Sequence, residues 1–93
     1  METYSQYSIA SAGTQIIDLD PKTPFIGLQV CPVTTATYAV YYSMFVTPNS
    51  TQWTPWMFGT AVTASQIVDV SPAVRQIKIV STSGDLTAAV VRR

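Results

Sequence analysis

The chain has 93 residues and a formal net charge of zero at pH 7, with 47% hydrophobic residues and only 11% charged ones. Ordinary soluble domains have about 25% charged residues, so this surface is weakly repelled from other protein surfaces. The five basic residues form no stripe that could neutralise a run of phosphates, and no apolar run approaches the roughly 18 residues of a membrane span, so we expect neither nucleic acid nor a membrane as a partner.

Short apolar runs separated by Pro, Gly, Ser and Thr predict β-strands along almost the whole chain. In chain order the predicted strands are residues 4–10, 15–19, 25–31, 36–46, 61–70, 74–80 and 86–91. Residues 53–58 contain Pro55 and are predicted to be an edge strand or an ordered loop. Within the predicted strand 61–70, a helical turn near residues 64–67 is an alternative. The polar loop at residues 81–85, with Gly84, predicts a hairpin between the last two strands.

This pattern of short strands predicts an all-β fold, an antiparallel β-sandwich of the Ig-like or jelly-roll-like kind, rather than a small barrel. A chain this short is expected to be a single domain over residues 1–93, in which residues 1–12 form an extended N-terminal arm or an edge strand. The predicted core rows, which share a parity within their strands, are Ile26, Leu28 and Val30, then Tyr38, Val40, Tyr42 and Met44, then Ile77 and Ile79, and finally Leu86, Ala88 and Val90.

The predicted strand at residues 36–46 is apolar on both faces, which is unusual for a strand with one face in water. Successive side chains point to opposite faces, so the row from Tyr38 to Met44 is assigned to the core. Ala39, Tyr41 and Phe45 then form a second apolar row on the outer face. We expect this outer row to contact another protein chain.

Residues 52–59 concentrate large apolar side chains, namely Trp53, Trp56, Met57 and Phe58. Such residues offer a large contact area at little entropic cost. Three interpretations stay open: one tryptophan in the core with the other residues at a subunit contact, the whole group in the core, or a carbohydrate-binding platform. The first is favoured, and it adds these four residues to the predicted partner-binding surface.

The chain has no histidine, which excludes Ser-His-Asp and Cys-His catalysis and zinc sites of the usual kind. The single cysteine, Cys31, has no partner for an internal disulfide, and the first eight residues have neither the basic nor the apolar region of a signal peptide. We therefore expect a protein that is not an enzyme, has no catalytic residue and no cofactor, and is made in a cytosol.

Charged residues are expected to have structural roles. Arg75 shares the parity of a predicted core row, so its stem lies at the end of that row, and Asp18 or Asp69 is expected to pair with it. Asp18 and Asp20 also face one side of a strand, where two carboxylates are able to share a calcium ion. The simpler interpretation, a proline turn, is favoured because the spacing of an EF-hand loop is missing, so we expect no metal.

Five motifs follow one another along most of the chain: AGT before IIDL at residues 12–19, ATYAVYY at 36–42, Trp53, SPAVRQIKI at 71–79 and GDLTAAVV at 84–91. Their order and spacing resemble the small β-sandwich virion proteins of tailed bacteriophages. In that family an A-T-Y-x-V-x-Y strand precedes a loop with a tryptophan, and the last two strands pair by a hairpin. This chain departs from the family in having Ala39, Tyr41 and Phe45 where the family has polar outer residues.

The resemblance implies a non-enzymatic structural protein of a phage particle, a capsid decoration or cement protein that binds and stabilises an assembled head. It implies the major capsid protein or another virion protein as partner, self-association, synthesis in the host cytoplasm and a final place on the capsid surface. The alternative is a carbohydrate- or receptor-binding β-sandwich module of a tail or spike, with Trp53 and Trp56 as its stacking platform. A cellular interaction domain without a viral link is a third possibility.

Overall fold

The computed structural model describes residues 3–19 and 25–93. Its eight strands are β1 (Thr3–Ile9), β2 (Thr14–Asp18), β3 (Ile26–Pro32), β4 (Thr37–Ser43), β5 (Thr54–Pro55), β6 (Gln66–Val70), β7 (Gln76–Ser83) and β8 (Leu86–Arg92). Each predicted strand overlaps one of these, and the proline-interrupted segment 53–58 supplies the two-residue β5. The predicted proline turn at residues 20–24 lies outside the described residues.

The strands form two four-stranded sheets, with strand orders β1-β8-β3-β6 and β2-β7-β4-β5. Neighbouring strands are antiparallel throughout. Among the described strands only β4 and β5 follow one another in the chain and pair in one sheet, because every other connection passes from one sheet to the other. This crossing pattern is that of a jelly roll, whereas an Ig-like sandwich pairs several consecutive strands within a sheet. The predicted antiparallel β-sandwich is confirmed, in its jelly-roll-like form.

The core lies between the inner faces of the two sheets. The predicted core rows of β3, β7 and β8 are buried, as are Tyr38 and Val40 of β4, and Tyr42 is partly buried against them. Each buried Val, Leu or Ile side chain contributes roughly 1.5–3 kcal/mol. Met44 is 67% exposed, so its assignment to the core is wrong: β4 ends at Ser43 and the chain leaves the sheet there. The core residues that the predicted rows omit are Ile9, Ile17, Leu19, Ala36, Trp56, Val62, Val70 and Val74.

The turn between β7 and β8 has the residues of a hairpin but connects two sheets. β7 pairs with β2 and β4, whereas β8 pairs with β1 and β3, so the predicted hairpin is wrong. Turn residues specify a reversal of the chain, not the strand with which each arm pairs. Gly84 has a φ of 81°, and a Cβ there would lie 2.7 Å from Ala36 Cα and overlap the Thr35 carbonyl oxygen. Glycine is therefore required for its backbone angle and for its size.

The region ahead of β6 is irregular rather than helical. Val62 forms an isolated bridge with Tyr38, with N–H···O distances of 2.9 Å in both directions. The Tyr38 hydroxyl donates to the Ala64 carbonyl at 2.7 Å. The helical turn that stayed open near residues 64–67 is therefore not formed, and the predicted strand at 61–70 is regular only over Gln66–Val70.

β1 forms an edge of the first sheet and pairs along its whole length with β8. Within the described part of the chain, no helix is long and apolar enough to cross a membrane.

Replacing Gly84 by alanine should destabilise the fold more than the same change at Gly59. Both glycines have positive φ, 81° and 91°, so both substitutions impose strain on a left-handed backbone. A Cβ at Gly59 meets no atom within 4 Å, whereas at Gly84 it overlaps backbone atoms of residues 35 and 36. We expect urea unfolding to show a loss of about 1 kcal/mol for Gly59→Ala and about 3 kcal/mol or more for Gly84→Ala. Equal losses would contradict the close approach.

Candidate functional site

The outer face of the sheet β2-β7-β4-β5 has a row of apolar and aromatic side chains that crosses its strands. Lys78 of β7 lies opposite Ile16 on one side and opposite Tyr41 on the other, and Tyr41 lies opposite Pro55 of β5. Ile16 is 49% exposed, while Tyr41, Lys78 and Trp53, which precedes β5, are half-buried. We name the group of Ile16, Lys78, Tyr41 and Trp53 the aromatic row.

Lys78 connects the two rings of the aromatic row. Its Nζ lies 4.9 Å from the centroid of the Tyr41 ring and 4.7 Å from that of the Trp53 ring. A cation this near a ring face is attracted by the ring quadrupole, by about 0.5–1 kcal/mol at an exposed site. Because two rings share one ammonium group, the positions of the three side chains are coupled. The row is therefore an ordered, largely apolar surface with one fixed positive charge.

Two residues of the predicted partner-binding surface lie inside the protein instead. Ala39 is on the outer face by parity but is only 3% exposed, so neighbouring groups cover its methyl group. Trp56 is 4% exposed, and its ring packs against that of Tyr38 with 5.9 Å between centroids. The Trp56 amide donates to the Val40 carbonyl at 3.0 Å, which holds the residue beside β4. One tryptophan is thus in the core, and a stacking platform that uses both Trp53 and Trp56 is not formed.

The other three predicted residues are exposed and lie beyond the aromatic row. Phe45 is 53% exposed and belongs to the exposed apolar segment 44–46, which follows the end of β4. Met57 is 87% exposed and Phe58 is 40% exposed. The Phe58 ring contacts the buried Trp56 ring edge-on, with 5.1 Å between centroids. These three residues are exposed apolar groups in the segments that follow β4 and β5.

The predicted pair between Arg75 and Asp18 is replaced by other contacts. Among the described residues, the Asp18 carboxylate accepts a hydrogen bond from Nε2 of Gln76, which lies directly opposite it in β7. Asp18 and Gln76 face outward, whereas Arg75 is one residue away and has the opposite parity. Arg75 Nη1 is buried without a hydrogen-bond partner, and Arg92 Nη2 donates to the Asp18 carbonyl at 3.1 Å. The alternative partner, Asp69, belongs to β6 of the other sheet.

Burial shifts the pKa of two tyrosines of β4. Burial raises the pKa of Tyr38 and that of Tyr42 from 10.0 to about 12, so both phenols stay neutral at physiological pH and supply no base there. Within residues 3–19 and 25–93, no three metal-ligating side chains come together. Asp20, the second member of the possible calcium pair, lies outside the described residues.

A second candidate surface, which the sequence did not predict, is a groove of about 1020 Å³ on the outer face of the sheet β1-β8-β3-β6. Its lining includes Tyr4, Phe25 and Ile67, which are 58%, 70% and 73% exposed. Gly27 also lines the groove and leaves open space where a Cβ would stand. In the sequence, the feature that indicates this groove is Ile67, which faces outward on β6 as Asp69 does. An isoleucine in a polar row indicates an apolar patch.

No protein-family model matches this chain, and no curated protein is similar to it in sequence. Solved structures share its fold. The SPBc2 prophage-derived protein YomS has a TM-score of 0.56 and 13% identity over 99% of this chain and 94% of that one. A de novo designed double-stranded β-helix has a TM-score of 0.54 and 4% identity over 98% of this chain and 99% of that one. The K1 cleaved adhesin domain of Lys-gingipain from Porphyromonas gingivalis W83 has a TM-score of 0.55 and 17% identity over 97% and 72%. At these identities the likeness defines a small jelly-roll β-sandwich.

The raised pKa values predict that the protein loses stability in alkali. The folded pKa of Tyr38 and Tyr42 is about 12 and the ordinary value is 10.0, so between these values the unfolded chain has released protons that the folded chain still holds. The free energy of unfolding therefore falls as the pH rises from 10 to 12. Urea unfolding across this window should show the fall, and it should be smaller in Tyr42→Phe. An equal fall in both proteins would contradict the assignment.

Proposed function

We propose that this chain is a non-enzymatic structural protein of a virus particle, and specifically a decoration protein that binds an assembled bacteriophage head. In this proposal it is made in the host cytoplasm and ends on the capsid surface, where its partner is the major capsid protein or another virion protein. The observation that carries the proposal is the aromatic row, an ordered apolar surface on the outer face of a sheet whose inner face already forms the core.

The geometry of the aromatic row suits protein binding. Tyrosine and tryptophan are enriched at the energetic centres of protein interfaces, where they give large contact areas. Cation–π contacts hold Tyr41 and Trp53 against Lys78, so less side-chain entropy is lost on binding. The fixed ammonium group of Lys78 favours a partner that places a carboxylate near the rim of the contact.

The area that such a contact needs is available. A standard interface buries about 800 Å² on each partner, which is about one seventh of the 5416 Å² surface of this chain. Phe45, Met57 and Phe58 offer further exposed apolar side chains in the segments that follow β4 and β5.

The fold comparison is compatible with a particle protein. YomS is prophage-derived, and its likeness to this chain extends over nearly the whole length of both. The match covers 94% of YomS, so the two chains are similar in size. The likeness to YomS supports the fold, and it is consistent with the proposal that this chain is a phage protein.

A tail or spike module that binds a carbohydrate or receptor is the second candidate. The likeness to an adhesin domain and the half-buried ring of Trp53 at the surface favour it. Lys78 lies over one face of each of the Trp53 and Tyr41 rings, however, which limits sugar stacking to the opposite faces. The burial of Trp56 removes the second platform residue, so the head decoration function is preferred.

Tyr41→Asp should abolish particle binding without unfolding the protein. We expect purified wild-type protein to bind particles from a strain that lacks the gene, saturably and in many copies per particle. A carboxylate at residue 41 would be desolvated in the apolar contact, which should cost at least about 2 kcal/mol, or about 30-fold in affinity. Cosedimentation of labelled protein with the particles measures the change.

The matched control is Val33→Asp, which adds the same charge at an exposed position, 61% exposed, in the loop after β3. This variant should bind as the wild type does. Wild-type protein that does not sediment with particles, or equal losses in both variants, would contradict the proposal. Glycan-array binding that is lost in Trp53→Ala would favour the tail-module alternative instead.

A further inference from the structure

The two sheets have four edge strands, and three of them have features that discourage pairing with another strand. β5 is only two residues long and contains Pro55. β6 and β2 are each five residues long and include Asp69 and Asp18. Shortness, charge and proline are the usual means by which proteins keep sheet edges from joining.

β1 has none of these features. It is seven residues long, with the sequence TYSQYSI, and is thus the longest of the four edge strands. It includes no charged residue and no proline, and its register with β8 runs from Thr3 to Ile9 without a bulge. In the described chain, strand pairing and backbone hydrogen bonds connect β1 to β8 alone. As far as the described residues are concerned, the backbone N–H and C=O groups on its other side are therefore available to a further strand.

We propose that the β1 edge binds β1 of a second copy of this chain, antiparallel and about a two-fold axis, so that two four-stranded sheets join into one of eight strands. An extended strand is the partner because only an extended backbone matches the repeating donors and acceptors of a sheet edge. The paired segment is as long as β1, which has seven residues. None of these residues is charged or a proline, so the pairing has no break.

A second copy suits this edge better than a charged peptide does. The outward side chains of β1 are Tyr4, Gln6 and Ser8, all of them uncharged and exposed. Two copies of this strand bring no like charges together, and the formal net charge of zero leaves no overall repulsion between molecules. A two-fold antiparallel pair also forms a closed dimer, because each β1 edge pairs its backbone N–H and C=O groups with those of the other copy and leaves no free β1 edge for a third copy. This dimer uses a surface separate from the aromatic row, which lies on the other sheet.

The test compares lysine substitutions at two glutamines that flank the same residue. Gln6 of β1 and Gln29 of β3 both lie opposite Ala89 of β8, and both are exposed on the same face. Only Gln6 is on the edge. Two-fold pairing brings two copies of an added lysine close together at the joined edge, which like-charge repulsion opposes.

Sedimentation velocity over a range of concentrations measures the result. We expect the wild type and Gln29→Lys to form dimers, and Gln6→Lys to raise the dimer dissociation constant by about tenfold or more. A wild type that remains monomeric up to millimolar concentration overturns the proposal, as does equal weakening in Gln6→Lys and Gln29→Lys. Circular dichroism confirms that each variant is folded.

Cysteine cross-linking gives a second readout that does not depend on a loss of binding. In a Cys31→Ser background, single cysteines at each position from Tyr4 to Ser8 should give one strongly cross-linked dimer, at the residue that the two-fold axis places opposite its own copy. No cross-link at any of the five positions overturns the antiparallel pairing. Tyr41→Asp should remain dimeric here, so failure of the dimer and failure of particle binding are distinguishable.

Discussion

The turn between β7 and β8 is the constraint on which both sheets depend. Each of these strands is hydrogen-bonded on both sides, so the turn joins the interior of one sheet to the interior of the other. The Gly84 amide donates to Ser11 Oγ at 3.0 Å, and the Ser81 hydroxyl donates to the Gly84 carbonyl at 2.6 Å. Gly84 also packs against the backbone at residues 35 and 36. Gly84 thus connects the turn between β7 and β8 to two neighbouring loops, at Ser11 and at residues 35–36.

The arrangement determines which apolar groups remain for binding. Seven of the eight strands supply inward side chains to one core, and the crossing connections leave the outer faces of the two sheets pointing in opposite directions. The aromatic row is on one outer face and the groove that includes Tyr4 and Ile67 is on the other. The β1 edge is on the same sheet as the groove. Binding to a shell and binding to a second copy therefore need not compete for one surface.

Alternation along the strands predicted the core rows because side-chain parity is a local property. Leu28, Val40 and Ile79 are buried for that reason. Parity does not determine where a strand ends or with which strand it pairs. Met44 has the right parity but follows the last residue of β4, and the loop with Gly84 has hairpin chemistry although its two arms join different sheets. Both outcomes are set by contacts between residues that are distant in the chain.

The candidate site was predictable only in part for the same reason. Tyr41 and Trp53 were expected at the surface, but their contact through Lys78 depends on the register of β7 against β4. Trp56 is buried because its amide bonds to Val40 and its ring packs on Tyr38. Asp18 pairs with Gln76 and not with Arg75 because a shift of one residue changes the face. The groove combines residues of several strands and has no local signal beyond Ile67.

The most direct measurement is a cryo-electron microscopy map of virus particles that contain this chain. The proposed function predicts ordered copies of the two-sheet sandwich on the shell, with the sheet β2-β7-β4-β5 facing the capsid and the side chains of Tyr41 and Trp53 buried in the contact. Copies attached by another face, with the aromatic row in solvent, or particles without ordered copies of the chain, would contradict it.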